Sequence, residues 1–415
     1  MLHARDPITS HPASAAVSGT TTTRARRVLG VDVARGAALV GMVAVHTFPL
    51  LDEDGEPTAA TLVAGGRSAA TFVLVAGVGL AFLSGGRAVV QGRDRVAVAA
   101  GLTVRAVLIG ALGLALGLLA ELNGIDGILP FYALLFLLAI PLLGLPPRVL
   151  AGVAAAVIAL GPVLIVATAD LGLPAAEADP TPATLVEDPV GLLVQLSVTG
   201  EYPIVVYLAY LCAGLAIGRL DLHSRRVAWW LVGAGAALAV AARVVSAVVL
   251  YPLGGLARLI SRTGSDDDPG EVVQELLWEP ELVASWWYLA LPAPHSHTPV
   301  DVAHTLGSAM VVLGAALLLT RIGAIARLLR PLGMAGGMAL TLYAAHLVVL
   351  ATAVPADDPA LLFLLMVTVV LAFAVLWGRW LGQGPLELIV AGAAGRARRT
   401  TADLLRTRGS RGSGG

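Results

Sequence analysis

Of the 415 residues 57% are apolar and 13% charged, with a mean hydropathy of +0.84. Soluble domains sit near about 45–50% apolar and about 25% charged, so a soluble globular enzyme is excluded and a polytopic helical membrane protein remains. The net charge of −1 says little about partners; membrane lipid is expected and nucleic acid is not, and the single cysteine, Cys212, allows no intrachain disulfide and argues against redox chemistry.

All 27 basic residues are arginine, in a background rich in Ala, Gly, Val and Leu, as a high-GC bacterial genome would encode. Residues 1–27 are rich in Ser, Thr, Pro and Arg and lack an apolar core. They read as a disordered cytoplasmic lead rather than a cleavable signal peptide.

Residues 28–381 then form a transmembrane bundle of about ten spans. Helices are expected at about 28–51, 67–84, 97–119, 128–145, 149–169, 201–218, 227–250, 301–320, 334–353 and 360–381. Arginines cluster on alternate connections, at Arg24 to Arg27, Arg87 to Arg95, Arg148, Arg219 to Arg226 and Arg321 to Arg330. They recur through the Arg/Gly-rich tail, 382–415. The opposite connections carry acid, from Asp52 to Asp54, from Asp170 to Asp188, at Asp266 to Asp268 and at Asp357-Asp358. The arginine bias predicts an all-α, multi-pass protein with both termini cytoplasmic.

Two of the outer loops are long. Residues 170–200 turn amphipathic towards their end. Residues 251–300 gather Leu276, Leu277, Trp278, Leu282, Trp286, Trp287 and Tyr288. Tryptophan and tyrosine favour the headgroup level, so this segment reads as an interfacial anchor or as a cap over an outward-facing site. Gly110, Gly113 and Gly117, and later Gly333, Gly336 and Gly337, are small residues at spacings that let helix backbones approach.

The first run holds the most telling pattern. Asp32, Arg35, Leu39, Met42 and His46 recur at spacings of 3 and 4, which puts them on one helical face. Asp32 and His46 lie about 21 Å apart along the axis. Lipid would not tolerate that face, so it points into the bundle. Arg67, Glu201, Asp301 and His304 open later helices from the same outer level, and His346 lies twelve residues into the ninth. If these helices adjoin the first, His46, His346, His304, Asp301 and Arg67 suit acid–base or acyl-relay chemistry. Arg105 and Arg243, inside the third and seventh helices, face either an anionic ligand or a buried partner. His297, Asp301 and His304 follow an i, i+4, i+7 pattern that could offer ligands to zinc. Pro299 interrupts the start of that helix, and no metal is expected.

The stretch from Arg27 through Asp32, Arg35, Gly36, Gly41 and Met42 to His46 resembles the first membrane helix of the heparan-α-glucosaminide N-acetyltransferase and YeiB-like membrane proteins. Gly66-Arg67-Ser68, leading to Phe72 and Gly77, is similar to their second helix. Gly336 to Tyr343 and Trp380 to Glu387 resemble the YeiB-like signature, and Pro294-His295-Ser296 with Thr298-Pro299 resembles an actinobacterial branch. The resemblance implies a member of the transmembrane acyltransferase superfamily, with acyl-CoA as co-substrate and an acceptor across the membrane. The N-acetyltransferases proper carry an active histidine in the first outer loop. Residues 52–66 hold none here, and His46 is the nearest candidate.

These readings lead to a plasma-membrane acyltransferase that modifies a cell-envelope glycan or lipid acceptor and leaves room for a homo-oligomer. His46 is its acid–base or acyl-accepting group, His346 or His304 a second base, and Arg67 orients the acceptor, with Asp301 counted among the catalytic residues. Asp32, Arg35 and Arg105 line the cytoplasmic mouth and hold the pyrophosphate of acetyl-CoA or another acyl-CoA. A transporter or flippase of a small anion or lipid-linked sugar is the alternative, since a polar track with buried arginines serves it equally.

Overall fold

The computed structural model describes residues 28–174, 179–264, 268–352 and 358–411. The lead at 1–27, with its arginine cluster, and Asp266, Asp267 and Asp357 lie outside the described residues. All regular structure among the described residues is helical, apart from an isolated bridge between Leu51 and Pro57. The main helices are α1 (Leu29–Thr47), α2 (Arg67–Leu83), α3 (Gly92–Gly117), α4 (Leu129–Leu142), α5 (Pro147–Thr168) and α6 (Ile204–Gly218). They continue with α7 (Arg225–Leu250), α8 (Pro299–Leu319), α9 (Arg330–Gly336), α10 (Ala339–Thr352), α11 (Pro359–Trp380) and α12 (Pro385–Arg411).

Each of the ten expected runs carries a helix, but among the described residues seven helices are long and apolar enough to cross a bilayer singly, or up to nine spans if two bent pairs count as one each. The differences have local causes. α1 stops at Thr47 rather than running to 51, because Pro49 disfavours helical backbone at Phe48. The sixth run begins only at Ile204, after Pro203, and forms a pair bent by 61° with residues 189–199. The ninth run is broken between α9 and α10 by 83°, just after Gly336 and Gly337. Glycine is the poorest helix former after proline, so the break falls where helical backbone is weakest.

α2 is the most enclosed span, packed along α6, α1 and α8, while α7 and α11 turn most of their surface outward. Close helix crossings rest on glycine. A Cβ on Gly336 would strike the Asp32 carbonyl and the Gly36 amide, and one on Gly36 would strike the Leu332 carbonyl. Gly235 and Gly307 meet the same way where α7 crosses α8. Gly336→Val is therefore expected to cost about 3 kcal/mol or more, because α1 and α9 cannot separate without breaking the packing around both. Its readout is loss of folded, monodisperse protein in detergent. A variant as stable as the parent would show that this crossing can yield.

Among its described residues, the segment 251–298 holds no helix of spanning length. Three short helices, Gly255–Thr263, Pro269–Trp278 and Trp286–Ala290, close over a small core of their own around Leu250, Leu259, Leu276 and Leu291. The stretch read as a tail carries α12, which lies along α3.

Candidate active site

α1 carries polar groups at both ends. Near its start Asp32 Oδ1 lies 3.3 Å from Arg35 Nη1, and the same guanidinium nitrogen donates to the Gly336 carbonyl at 3.3 Å. Near its end His46 meets His346 of α10. His46 Nδ1 is 2.9 Å from His346 Nε2, and the two rings are parallel within 7°, with centroids 5.2 Å apart. His346 Nδ1 lies near the carbonyls of Leu342 and Tyr343 without reaching aligned hydrogen-bond geometry. Those carbonyls favour a proton on His346 Nδ1, so His346 Nε2 accepts from His46 Nδ1–H. The lone pair of His46 Nε2 is then left free, which is the arrangement a nucleophile or base requires.

His46 lines a cavity of about 430 Å³ with Ser68, Asp126, Glu201, Tyr202, Glu279 and His295. A second cavity of about 410 Å³ holds Asp179, Gln195, Tyr288 and His297. Asp126, Glu201 and His295 line both, so these three form the partition between the chambers. The segment 251–298 supplies Glu279 to the first chamber and Pro280, Leu282 and Tyr288 to the second, so it walls both.

His295 Nδ1 sits 2.7 Å from Glu201 Oε1, a close ionic contact whose angles fall short of hydrogen-bond geometry. Burial alone would depress the imidazole, but the Glu201 carboxylate outweighs it and lifts His295 to about 9. Burial pushes the neighbouring His297 down to about 4. Asp179 accepts from the Gly127 amide at 2.9 Å, yet burial still lifts its carboxyl to about 7.

The backbone that carries these histidines is strained. His295 and His297 adopt left-handed conformations, with φ of 58° and 55°, at a cost of about 1–2 kcal/mol per residue. Hydroxyl groups hold the loop in place. Ser296 Oγ donates to the Ala293 carbonyl at 2.8 Å and Thr298 Oγ1 to that of Leu291 at 2.7 Å. From α7, Ser246 Oγ reaches the Ala290 carbonyl at 2.7 Å and Arg243 Nη1 that of Pro292 at 3.0 Å.

Arg67, Asp301 and His304 form a separate cluster that lines neither chamber. Arg67 Nη2 is 3.0 Å from His304 Nε2, and His304 Nδ1 is 3.1 Å from the Ala239 carbonyl. A carbonyl only accepts, so Nδ1 carries the proton and Nε2 accepts from Arg67. Asp301 is buried near Arg67 and Arg243, with the His297 amide close to its carboxylate. α8 starts at Pro299, so His297 lies outside the helical face that the spacing suggested. No cluster of three metal-ligating side chains occurs among the described residues.

At the Arg35 end, Arg35, Arg105, Tyr132, Tyr343 and Glu387 line a cavity of about 280 Å³. It adjoins one of about 170 Å³ that runs between α3 and α12 to Arg398; Leu80, Leu83 and Arg105 are common to the two. Glu387 Oε1 accepts from the Leu340 and Thr341 amides at 2.7 and 3.2 Å, and Oε2 from the Thr341 hydroxyl at 2.6 Å. α12 thereby caps the start of α10, where first-turn amides have no partner within the helix. Tyr343 connects the two ends. It lines the lower cavity, its hydroxyl accepts from the Ile128 amide at 3.1 Å, and its ring packs edge-on against His346 at 4.9 Å.

Sequence reasoning missed the Glu201–His295 pair and Tyr343. Both acidic Glu201 and the His-Ser-His string were visible, but nothing local couples positions 94 residues apart.

These features define a multi-pass, all-α membrane protein with its polar chemistry collected inside the bundle. The family model for the heparan-alpha-glucosaminide N-acetyltransferase catalytic domain matches residues 27–248, more than half of the chain, and the chain belongs to that family. Searches of curated proteins and of solved structures found no match. The matched stretch contains His46, Arg67 and Glu201 but ends before their partners His346, His304 and His295. Each pair joins the matched part to the remainder.

Proposed function

We propose that the protein moves an acyl group, acetyl in the first instance, from acyl-CoA at the Arg35 end to a glycan or lipid acceptor of the cell envelope at the His46 end. The Arg35 end faces the cytoplasm of a plasma-membrane protein in this reading, in keeping with the arginine bias. Its main support is the 2.9 Å His46–His346 contact at the opposite end of α1 from Arg35 and beside a chamber able to hold an acceptor. Arg35 and Arg105 would take the CoA phosphates. The thioester then has to reach roughly 16 Å along α1 to His46. His46 Nε2 attacks the thioester carbonyl, CoA leaves as the thiolate, and an acceptor hydroxyl or amine displaces the imidazole from the acyl group, its proton passing to the released His46 Nε2. His346 keeps the His46 ring in the required tautomer. Asp32 holds Arg35.

Arg67, Asp301 and His304 fit a supporting role better than contact with the reacting atoms, since they lie behind the chamber wall. The transport reading draws on one observation, the two bent pairs, because broken helices often form substrate sites in transporters.

Inside-out vesicles given radiolabelled acetyl-CoA separate the two. Acyl transfer predicts label in an acceptor fraction, whereas transport of intact solutes predicts none. Arg105→Ala should raise KM for acetyl-CoA by about 10-fold or more, the worth of a charge-assisted hydrogen bond to phosphate, with kcat less affected. An unchanged KM would remove Arg105 from the donor site.

A further inference from the structure

We propose that His295, oriented by Glu201, is a second catalytic imidazole, which donates a hydrogen bond to the acyl carbonyl oxygen as that oxygen takes up charge during transfer at His46. The inference rests on the acyl-transfer reading and adds to it a residue beyond the family-matched stretch.

Three observations carry it. His295 lines the same chamber as His46 and forms part of the partition to the second chamber. Its Nδ1 is buried against a carboxylate oxygen at 2.7 Å, yet the side chain as a whole is 27% exposed, so the accessible edge of the ring is the one away from Glu201. Its loop keeps a left-handed, non-glycine backbone at His295 and His297 through four side-chain hydrogen bonds to carbonyls. Strain held in place this way marks a position whose geometry matters.

A carboxylate accepts and does not donate, so Nδ1 carries a proton. With His295 lifted to about 9, Nε2 also carries one at neutral pH. The ring is then a cationic donor rather than a base, and complements the free lone pair of His46.

When His46 Nε2 bonds to the carbonyl carbon, the C=O π pair moves to oxygen, where the His295 N–H meets it. The pair returns as the C–S bond breaks and CoA leaves as thiolate. The same oxygen takes up charge again when the acceptor attacks. No bond to His295 forms or breaks. Pre-aimed donors of this kind are worth about 10²–10³ in rate.

The charged and titratable groups around His295 are Glu201 and Tyr202 before α6, Asp126 before α4, His46 of α1, Glu279 of the capping segment, His297 of its own loop and Asp301 of α8. Glu201 dominates by contact.

The test uses the full-length protein in proteoliposomes with radiolabelled acetyl-CoA and its membrane acceptor fraction, over pH 6 to 10. The imidazolium is present below about 9 and lost above it, so wild-type activity should fall through that range. Glu201→Gln keeps the shape but removes the charge that holds the proton. Its alkaline limb should therefore move to lower pH by about one unit or more, a displacement that a merely structural role for Glu201 would not cause. His295→Gln should lower kcat about 10²-fold, with KM for acetyl-CoA little changed. If His295→Gln misfolds, Glu201→Gln and an NMR titration of the histidine rings decide the matter.

Transfer by the wild type with full activity in His295→Gln, an unmoved limb in Glu201→Gln, or a His295 ring titrating near 6.5 would each overturn this assignment and leave the acyl-transfer reading standing. Absence of transfer by the wild type with any acyl-CoA would overturn both.

Discussion

His46→Ala is expected to lower acyl transfer by about 10³-fold or more, the largest functional effect of any single substitution in this protein. The reason lies in the tautomer. His346 Nε2 engages His46 Nδ1 at 2.9 Å, and the carbonyls of α10 favour the proton on the far side of His346. That leaves His46 Nε2 as the available lone pair. Alanine removes the lone pair altogether. His346→Ala removes only what holds the ring, and should cost about 10–10². Because both act through one nitrogen, the double variant should be no worse than His46→Ala alone. Initial rates in proteoliposomes at saturating acetyl-CoA are the measurement. Substantial residual activity in His46→Ala would exclude His46 as the nucleophile or base.

Arg219→Ala is expected to destabilise the protein by about 3–5 kcal/mol, the largest effect on stability away from the glycine crossings. Arg219 is 5% exposed and follows the last turn of α6. Its Nη1 donates to the carbonyls of Ser84 and Gly86 at 3.3 and 2.8 Å, and its Nη2 to Ser84 Oγ and the Leu143 carbonyl at 3.1 and 2.6 Å. Ser84 and Leu143 are the residues that end α2 and α4. One cation thus satisfies carbonyls at the ends of two helices while completing a third, where the helix dipoles favour positive charge. Alanine would remove the donor from the Gly86 and Leu143 carbonyls, while the Ser84 carbonyl would keep only the Val90 amide at 3.2 Å. Arg219→Lys keeps the charge but not the planar fork, and should recover only part of the loss. Denaturant unfolding in detergent reads the effect. A loss under about 1 kcal/mol would mean that water replaces the guanidinium there.

How much of the site could be read in advance depended on the range of the interaction. The face from Asp32 through Arg35 to His46 follows from helical periodicity, and the Asp32–Arg35 contact is one turn long. The expectation that His46, His346, Arg67, Asp301 and His304 share one cavity needed helix neighbours, which periodicity does not contain. The structure brings His46 and His346 together and draws the other three into a cluster of their own behind the chamber wall. Glu387 shows the same limit. Its terminal motif and the Gly336 to Tyr343 motif were each legible, but not that the carboxylate of one caps the helix of the other.

By itself, the chain's composition and periodicity determined an all-helical membrane protein, the position of its apolar runs and the polar face of α1. These depend on contacts within a helical turn and on the cost of placing charge in lipid, both local properties of the sequence. Tertiary structure alone decided that α12 closes onto α3 and α10, and that Glu201 meets His295. Those outcomes turn on which backbones can approach at glycine crossings and which distant side chain supplies the missing partner of a buried polar group. Both are set by the packing of the whole bundle, to which no single segment is privy.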